Sequence, residues 1–261
     1  MIVEMSGWPY PFWIAHRGAG KLAPENTLAA FRLGAQHGYR MFECDVKLSA
    51  DGVPFLMHDA TLARTTNAPE ALGSEASPTA GDHAWAILSQ LDAGAWHSPV
   101  YAGEPLPTLA SLARWCRANH FLLDLEIKPT PGKEQVTGEV VARAVRQLWQ
   151  GAEVPPLLTS FRPEALLAAR DTAPELPRGL LLDTLIDGWM DIARGLRCVA
   201  VICNYRLWTP DLVTQVHAEG MRALSYTVND TAAAEHLRAL GTDGIVTDAV
   251  DRFRPEANLA G

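Results

Sequence analysis

Short apolar runs rich in β-branched and aromatic residues recur along the chain: Phe12–Ala15, Met41–Val46, Phe121–Ile127, Pro156–Phe161, Gly179–Asp183, Cys198–Asn204, Ala223–Val228 and Gly244–Thr247. Between most of them the apolar spacing becomes helical, as in Pro24–His37 closed by Gly38, Val136–Trp149 closed by Gly151 and Pro210–Glu219 closed by Gly220. A glycine just past a helix supplies the left-handed residue on which helices commonly end. Strand followed by helix, repeated, predicts parallel pairing, because a parallel neighbour is reached only through a crossover. Eight such strands in 261 residues predict an α/β fold of the (β/α)8 TIM barrel type, which typically takes ~250 residues.

One further β-like run, Val53–Met57, departs from the repeat, since only Ser49–Gly52 separate it from the end of the second strand at Leu48. A parallel crossover takes about a dozen residues or more, so this run is expected to fold back antiparallel around Ala50, Asp51 and Gly52. With Leu48 opposite Val53, His58 at the returning end would lie alongside Glu43 and Asp45. Residues 60 to about 107 carry Pro, Gly, Ser and Thr with Trp85, Trp96 and Tyr101 and show weak periodicity. They read as a small insertion after the second strand, on the C-terminal face of the barrel, where such excursions shape substrate sites. The expected organisation is one domain over residues 1–261 with this insertion inside it.

Composition narrows the function classes. At 48% hydrophobic and 20% charged the chain has apolar surface for one sizeable core. A net charge of −8 repels a long polyanion, so nucleic acid is not an expected partner, although a local Arg and Lys cluster can still hold one phosphate. The four cysteines include no C-x-x-C pair, which suits reduced thiols in the cytosol. Met1–Ile14 lacks the basic and apolar regions of a secretion signal, and no apolar run reaches about 18 residues. The expectation is a soluble, cytoplasmic protein without stable membrane insertion; exposed helical faces leave a homo-oligomer open.

The chemistry-bearing residues gather at strand ends. The first strand runs into His16-Arg17-Gly18, the second contains Glu43-Cys44-Asp45, the hairpin ends in His58-Asp59, and the third barrel strand reads Glu126-Ile127-Lys128. In this barrel class the active site lies at the C-terminal face. Side chains alternate along a strand, so Glu43 and Asp45 share one face, as do Glu126 and Lys128. An isolated Glu-x-Asp is ordinarily a solvated strand edge. Three carboxylates converging on a barrel mouth would instead repel one another unless a cation or protons intervened, and an all-oxygen donor set suits Mg²⁺, with Ca²⁺ as the alternative. Arg17 beside His16 and Lys128 beside Glu126 would neutralise a phosphate bound next to that cation. A lone histidine at a strand end is ordinarily a hydrogen-bonded one. Two, His16 and His58, on opposite sides of a cation suit taking a proton from an attacking hydroxyl and giving one to a leaving oxygen. No P-loop, dinucleotide fingerprint, H-E-x-x-H or G-x-S-x-G pattern occurs.

His16-Arg17-Gly18, Pro24-Glu25-Asn26-Thr27, Glu43-x-Asp45, His58-Asp59, Glu126-Ile127-Lys128, Ser160-Phe161, Tyr226-Thr227-Val228-Asn229 and Gly244-Ile245-Val246-Thr247-Asp248 together resemble the glycerophosphodiester phosphodiesterases, in that family's order and over nearly the whole chain. Trp8-Pro9-Tyr10-Pro11, Gly20-Lys21-Leu22-Ala23 and Pro177-Arg178-Gly179-Leu180-Leu181-Leu182-Asp183 resemble its cytoplasmic bacterial type. The resemblance implies metal-dependent hydrolysis of small-molecule glycerophosphodiesters, such as glycerophosphocholine or glycerophosphoethanolamine, to sn-glycerol 3-phosphate and an alcohol. It implies Glu43, Asp45 and Glu126 as holders of one divalent cation, His16 and His58 as acid and base, and Arg17 and Lys128 on the phosphate, with a cyclic phosphate formed before water opens it. The family often has Trp where this chain has Tyr226, a departure in substrate-side packing. Two other readings stand beside it: a lyase that stops at the cyclic phosphate, and a non-catalytic phosphodiester-binding barrel, for which the histidine pair would have no use.

Overall fold

The computed structural model describes residues 7–255; the first six and last six residues of the expected 1–261 domain, and with them the first six of the Met1–Ile14 stretch read for a secretion signal, lie outside the described residues. The strands are β1 (Trp13–Ala15), β2 (Met41–Leu48), β3 (Pro54–Leu56), β4 (Leu122–Ile127), β5 (Leu157–Ser160), β6 (Arg178–Leu182), β7 (Ala200–Asn204), β8 (Arg222–Tyr226) and β9 (Gly244–Thr247). The helices are α1 (Leu28–Gln36), α2 (Ala68–Leu72), α3 (Trp85–Leu88), α4 (Leu109–Asn119), α5 (Glu134–Leu148), α6 (Pro163–Thr172), α7 (Trp189–Gly195), α8 (Pro210–Ala218) and α9 (Thr231–Leu240). The sheet runs β1-β9-β8-β7-β6-β5-β4-β2, and β1 pairs back with β2 at Ala15 and Phe42. That closes a barrel of eight parallel strands with helices between them, the (β/α)8 TIM barrel expected from the repeat.

Alternation decides which side chains enter the barrel. On β2, Phe42, Cys44, Val46 and Leu48 pack outward into the layer beneath the helices, so Met41, Glu43, Asp45 and Lys47 face inward. On β4, Leu123, Leu125 and Ile127 pack outward, leaving Asp124 and Glu126 inside. The lower interior is apolar, filled by Ile14, Met41, Leu157, Leu181, Ala200, Ile202, Leu224 and Val246. Fully burying one such large side chain is worth roughly 1.5–3 kcal/mol.

β3 lies antiparallel on β2, as the short Ser49–Gly52 connection demands, but one residue out of the expected register: Leu48 pairs with Pro54 and Val46 with Leu56. The cause is the turn. Ser49 donates its N–H to the Val53 carbonyl at 3.1 Å and becomes the closing pair, and Gly52 takes φ +81°. Three residues, Ala50 to Gly52, therefore form the loop, a common hairpin length that needs a left-handed residue at its end. Met57 then donates to the Asp45 carbonyl at 3.0 Å, so His58 follows directly beside Asp45.

Helix α1 begins at Leu28, four residues later than the periodicity of Pro24–His37 predicts. Asn26 adopts φ +60°, which no helix tolerates, and Thr27 caps the helix by accepting from the Ala30 N–H. The displaced Pro24–Asn26 segment is thereby free to serve the barrel mouth. Between β3 and α4 the chain forms α2, α3 and two 3₁₀ turns around a separate apolar cluster that includes Phe55, Leu62, Leu88, Leu91 and Leu106. Helices of five and four residues are too short to show periodicity, which is why this stretch reads as irregular.

Candidate active site

Two neighbouring strands build the floor of the mouth. In the parallel register Glu43 pairs with Asp124 and Asp45 with Glu126, so four carboxylates stand on adjacent inward positions. Glu43, Asp45 and Glu126 are each under a tenth exposed, and each places one oxygen within 4.8 Å of the other two. Asp124 sits below them, where Thr159 donates its hydroxyl to Oδ1 at 2.7 Å.

Burial and mutual repulsion act on these groups in opposite senses to their cationic neighbours. Burial, then the charge of Asp45, raises Glu43 well above the carboxylate range and pushes Glu126 up to about 7. Burial foremost, with the charge of Asp45 added, pushes Asp124 up to about 7 against its Thr159 bond. For Asp45 burial also acts upward, but Lys128 and Arg17 overcome it and hold this carboxyl well below the usual range. Lys128 Nζ lies 3.4 Å from Asp45 Oδ1 and 3.0 Å from Glu126 Oε1; Arg17 Nε lies 3.4 Å from Asp45 Oδ2. Asn26 completes the frame, donating its amide to Asp45 Oδ2 at 2.8 Å and accepting the Asp45 N–H at 3.0 Å.

This donor set fits a hard divalent cation. Asp45 Oδ1 is buried without a hydrogen-bond donor among the described residues, and two of its carboxylate neighbours are destabilised as anions by burial foremost and by the charge of Asp45. A cation among the three oxygens would relieve both, and all-oxygen coordination is what Mg²⁺ and Ca²⁺ take.

The two histidines are held alike from opposite elements. His16 follows β1, and its Nδ1 lies 2.6 Å from Asp248 Oδ1, just past β9; its Nε2 is 3.8 Å from Glu43 Oε2. Asp248 is itself fixed by Asn229, which donates to Oδ2 at 3.0 Å and accepts the Asp248 N–H at 2.8 Å. Close approach makes this possible: Gly20, at φ +57°, leaves no room for a Cβ against the Asp248 backbone. His58 follows β3, and its Nδ1 lies 2.7 Å from Asp59 Oδ1. A carboxylate only accepts, and both aspartates are held below their ordinary range, so each Nδ1 carries the hydrogen and each Nε2 is left as the proton-exchanging atom. Burial foremost lowers His58, against the pull of Asp45 in the other direction.

Two cavities meet at Glu126 and Phe161. One, about 540 Å³, is lined by Lys47, His58, Asp59, Lys128 and Arg162; the other, smaller, by His16, Glu43, Asp124 and Tyr226. Phe161 and Tyr226 stand edge to face across the junction, centroids 5.6 Å apart, so Tyr226 supplies an aromatic wall there. A hollow of about 710 Å³ at the opposite barrel end is lined by Trp8, Tyr10, Trp13 and Arg40 among others, with no histidine or carboxylate among the described residues.

The structure brings all seven expected residues, His16, Arg17, Glu43, Asp45, His58, Glu126 and Lys128, to one mouth, but Arg17 and Lys128 are engaged with carboxylates there. Sequence reasoning assigned nothing to Lys47, Asp59, Arg64, Asp124 or Asp248. Asp124 is within reach, two positions before Glu126 on the same face; Asp248 stands in a motif of the resemblance, but at 232 residues from His16 nothing local marks it as the partner of that imidazole. Lys47 is buried beside Lys128, donating to its carbonyl at 3.3 Å, and burial lowers its ammonium to about 8.

Known proteins resemble this chain over most of its length. The glycerophosphodiester phosphodiesterase of Caldanaerobacter subterraneus is 31% identical over 240 residues, 90% of this chain and 93% of that protein. A glycerophosphodiester phosphodiesterase of Bacillus subtilis is 27% identical over 92% of this chain and 84% of its own length. Among solved structures, an Oleispira antarctica phosphodiesterase in complex with the product sn-glycerol 3-phosphate superposes with a TM-score of 0.84 at 33% identity, covering 93% of this chain and 94% of that one. The family model described as glycerophosphoryl diester phosphodiesterase matches residues 16–252. The chain belongs to the glycerophosphoryl diester phosphodiesterase family.

Proposed function

We propose that this protein hydrolyses glycerophosphodiesters, such as glycerophosphocholine and glycerophosphoethanolamine, to sn-glycerol 3-phosphate and the free alcohol, with one divalent cation, Mg²⁺ or alternatively Ca²⁺. Support comes from two Nδ1-anchored imidazoles flanking a cluster of three buried carboxylate oxygens. When bound by Glu43, Asp45 and Glu126, the cation supplies Lewis-acid stabilisation of charge on the phosphoryl oxygens. His16 Nε2 takes the proton from the substrate's 2-hydroxyl, whose oxygen bonds to phosphorus. His58, which enters the cycle as the imidazolium with Nδ1–H held on Asp59, gives its Nε2 proton to the departing alcohol oxygen. Water then opens the resulting cyclic phosphate with the two roles reversed. Arg17 and Lys128 turn from their carboxylates to share their charge with the phosphate. The single-domain organisation, with residues 60 to about 107 as an insertion beside the mouth, belongs to the same reading. All four cysteines are unpaired and buried, which supports a cytoplasmic setting, and no helix among the described residues is long and apolar enough to cross a membrane.

Incubation with glycerophosphocholine, with and without EDTA and each metal, tests the reading by coupling released glycerol 3-phosphate to its dehydrogenase. Metal-dependent release is expected, with a transient cyclic phosphate by phosphorus NMR. No release with any metal would refute hydrolysis, and a cyclic phosphate that only accumulates would make the protein a lyase.

A further inference from the structure

One guanidinium touches neither cavity floor nor carboxylate cluster yet is joined to both ends of the site. Arg64 lies just inside the insertion, its side chain 44% exposed and its guanidinium 5.9 Å from the Trp96 ring centroid. Toward His58 it forks onto Asp59, Nε to Oδ2 at 2.6 Å and Nη2 to Oδ1 at 2.9 Å. Toward Arg17 it forks onto Glu25, Nη1 to Oε2 at 2.7 Å and Nη2 to Oε1 at 2.7 Å. The oxygens that receive Nη2 are the two that carry functional groups: Asp59 Oδ1 holds His58 Nδ1, and Glu25 Oε1 accepts from Arg17 Nη1 at 2.8 Å.

We propose that Arg64 is a positioning residue for the reaction, fixing the imidazole of His58 through Asp59 and the guanidinium of Arg17 through Glu25. This rests on the glycerophosphodiesterase reading. Without Arg64, Asp59 is free to rotate off Nδ1, and Glu25 is left with Arg17 as its one cationic partner among the described residues, drawing that charge from Asp45 and from an incoming phosphate. Only arginine has the N–H groups to make four directed bonds to two carboxylates; lysine offers three donors from one point. Partly exposed ion pairs contribute little to stability, so the effect belongs in the kinetics, and the two arms predict two signatures. The Asp59 arm sets kcat, and the Glu25 arm sets KM.

The test measures kcat, KM and melting temperature on the metal-loaded full chain with glycerophosphocholine, for the parent, R64A, R64K, D59N, E25Q and R64A/D59N. R64A is expected to lower kcat/KM roughly tenfold to hundredfold, the range for lost supporting partners in metal sites, with kcat lowered and KM raised. R64K, which serves alone if R64A does not fold, restores little, and D59N and E25Q each reproduce one half of the split. R64A/D59N loses no more kcat than the worse single variant, and added guanidinium ion recovers activity in R64A. Parent-like kcat and KM in R64A, or losses fully additive with D59N, would overturn the proposal, as would a loss that only follows the melting temperature. A parent inactive toward every glycerophosphodiester defeats the functional reading itself, whereas an active parent with an unaffected R64A defeats this inference alone.

Discussion

The wall formed by β2 and β4 and the wall formed by β6, β7 and β8 enclose the same barrel, yet their inner faces are opposites. Above Met41 the first presents Glu43, Asp45, Lys47, Asp124 and Glu126, all under a tenth exposed. The second presents Leu181, Ala200, Ile202 and Leu224, packed so closely that a Cβ at Gly179 would have to displace Ile202 Cδ1. Each large apolar side chain there stabilises the fold by roughly 1.5–3 kcal/mol, whereas a buried carboxylate costs stability unless it is paired. Burial foremost, with the charge of Asp45 added, raises Glu43, Asp124 and Glu126 as acids, a sign that the charged wall is held in place at a cost to folding. Stability therefore resides on one side of the barrel and chemistry on the other.

Exchanging the two kinds of damage gives the sharpest break. H58A on the charged side is expected to lower kcat about 10²- to 10⁴-fold with little change in melting temperature, and H16A to act likewise. L224A on the apolar side, at a residue that lines neither cavity of the mouth, is expected to destabilise by about 2–5 kcal/mol in denaturant unfolding while leaving kcat and KM at low temperature unchanged. A large kinetic loss in L224A would erase the division.

Metal binding sharpens it next. At a hundredfold excess over Kd a cation that binds only the folded chain adds about 2.7 kcal/mol, so Mg²⁺ or Ca²⁺ should raise the parent's melting temperature. E126Q, by removing one of three clustered oxygens, should abolish that rise while L224A keeps it. Equal shifts in E126Q and the parent would place the cation elsewhere.

The smallest effect concerns acid. Hydrogen bonds from Arg64 foremost hold the Asp59 carboxyl well below its ordinary value. Its folded pKa thus lies beneath the unfolded value of about 3.9, the folded chain binds fewer protons there, and the stability contributed is full above about pH 4 and lost as pH falls further. D59N should flatten the melting curve below about pH 4, by under ~1 kcal/mol because water screens part of the pair. An unchanged acid limb would mean that the charged wall loses stability through other carboxyls.

Much of this division is legible along the chain. Alternation separates Glu43 and Asp45 from Cys44, and a connection too short for a crossover fixes the hairpin. What is lost has identifiable physical causes. The hairpin register moves by one because Ser49 joins the ladder, and α1 starts late because Asn26 takes a left-handed conformation to reach Asp45. The supports of the two histidines differ most. Asp59 adjoins His58 in sequence, whereas Asp248 meets His16 only because β1 and β9 pair, and Arg64 meets Glu25 across 39 positions. Side-chain pairs made by closure of the barrel leave no periodic trace.

The exposed loop of Ala50, Asp51 and Gly52 looks like a place where natural or engineered length changes would be harmless, as they usually are on a surface. Strand β3 makes it otherwise. One added residue would slide β3 a single step along β2 and exchange its two sides, carrying the imidazole at its end away from the cavity. An insertion at the rim, touching no reacting group, would disable the centre by gearing through the ladder.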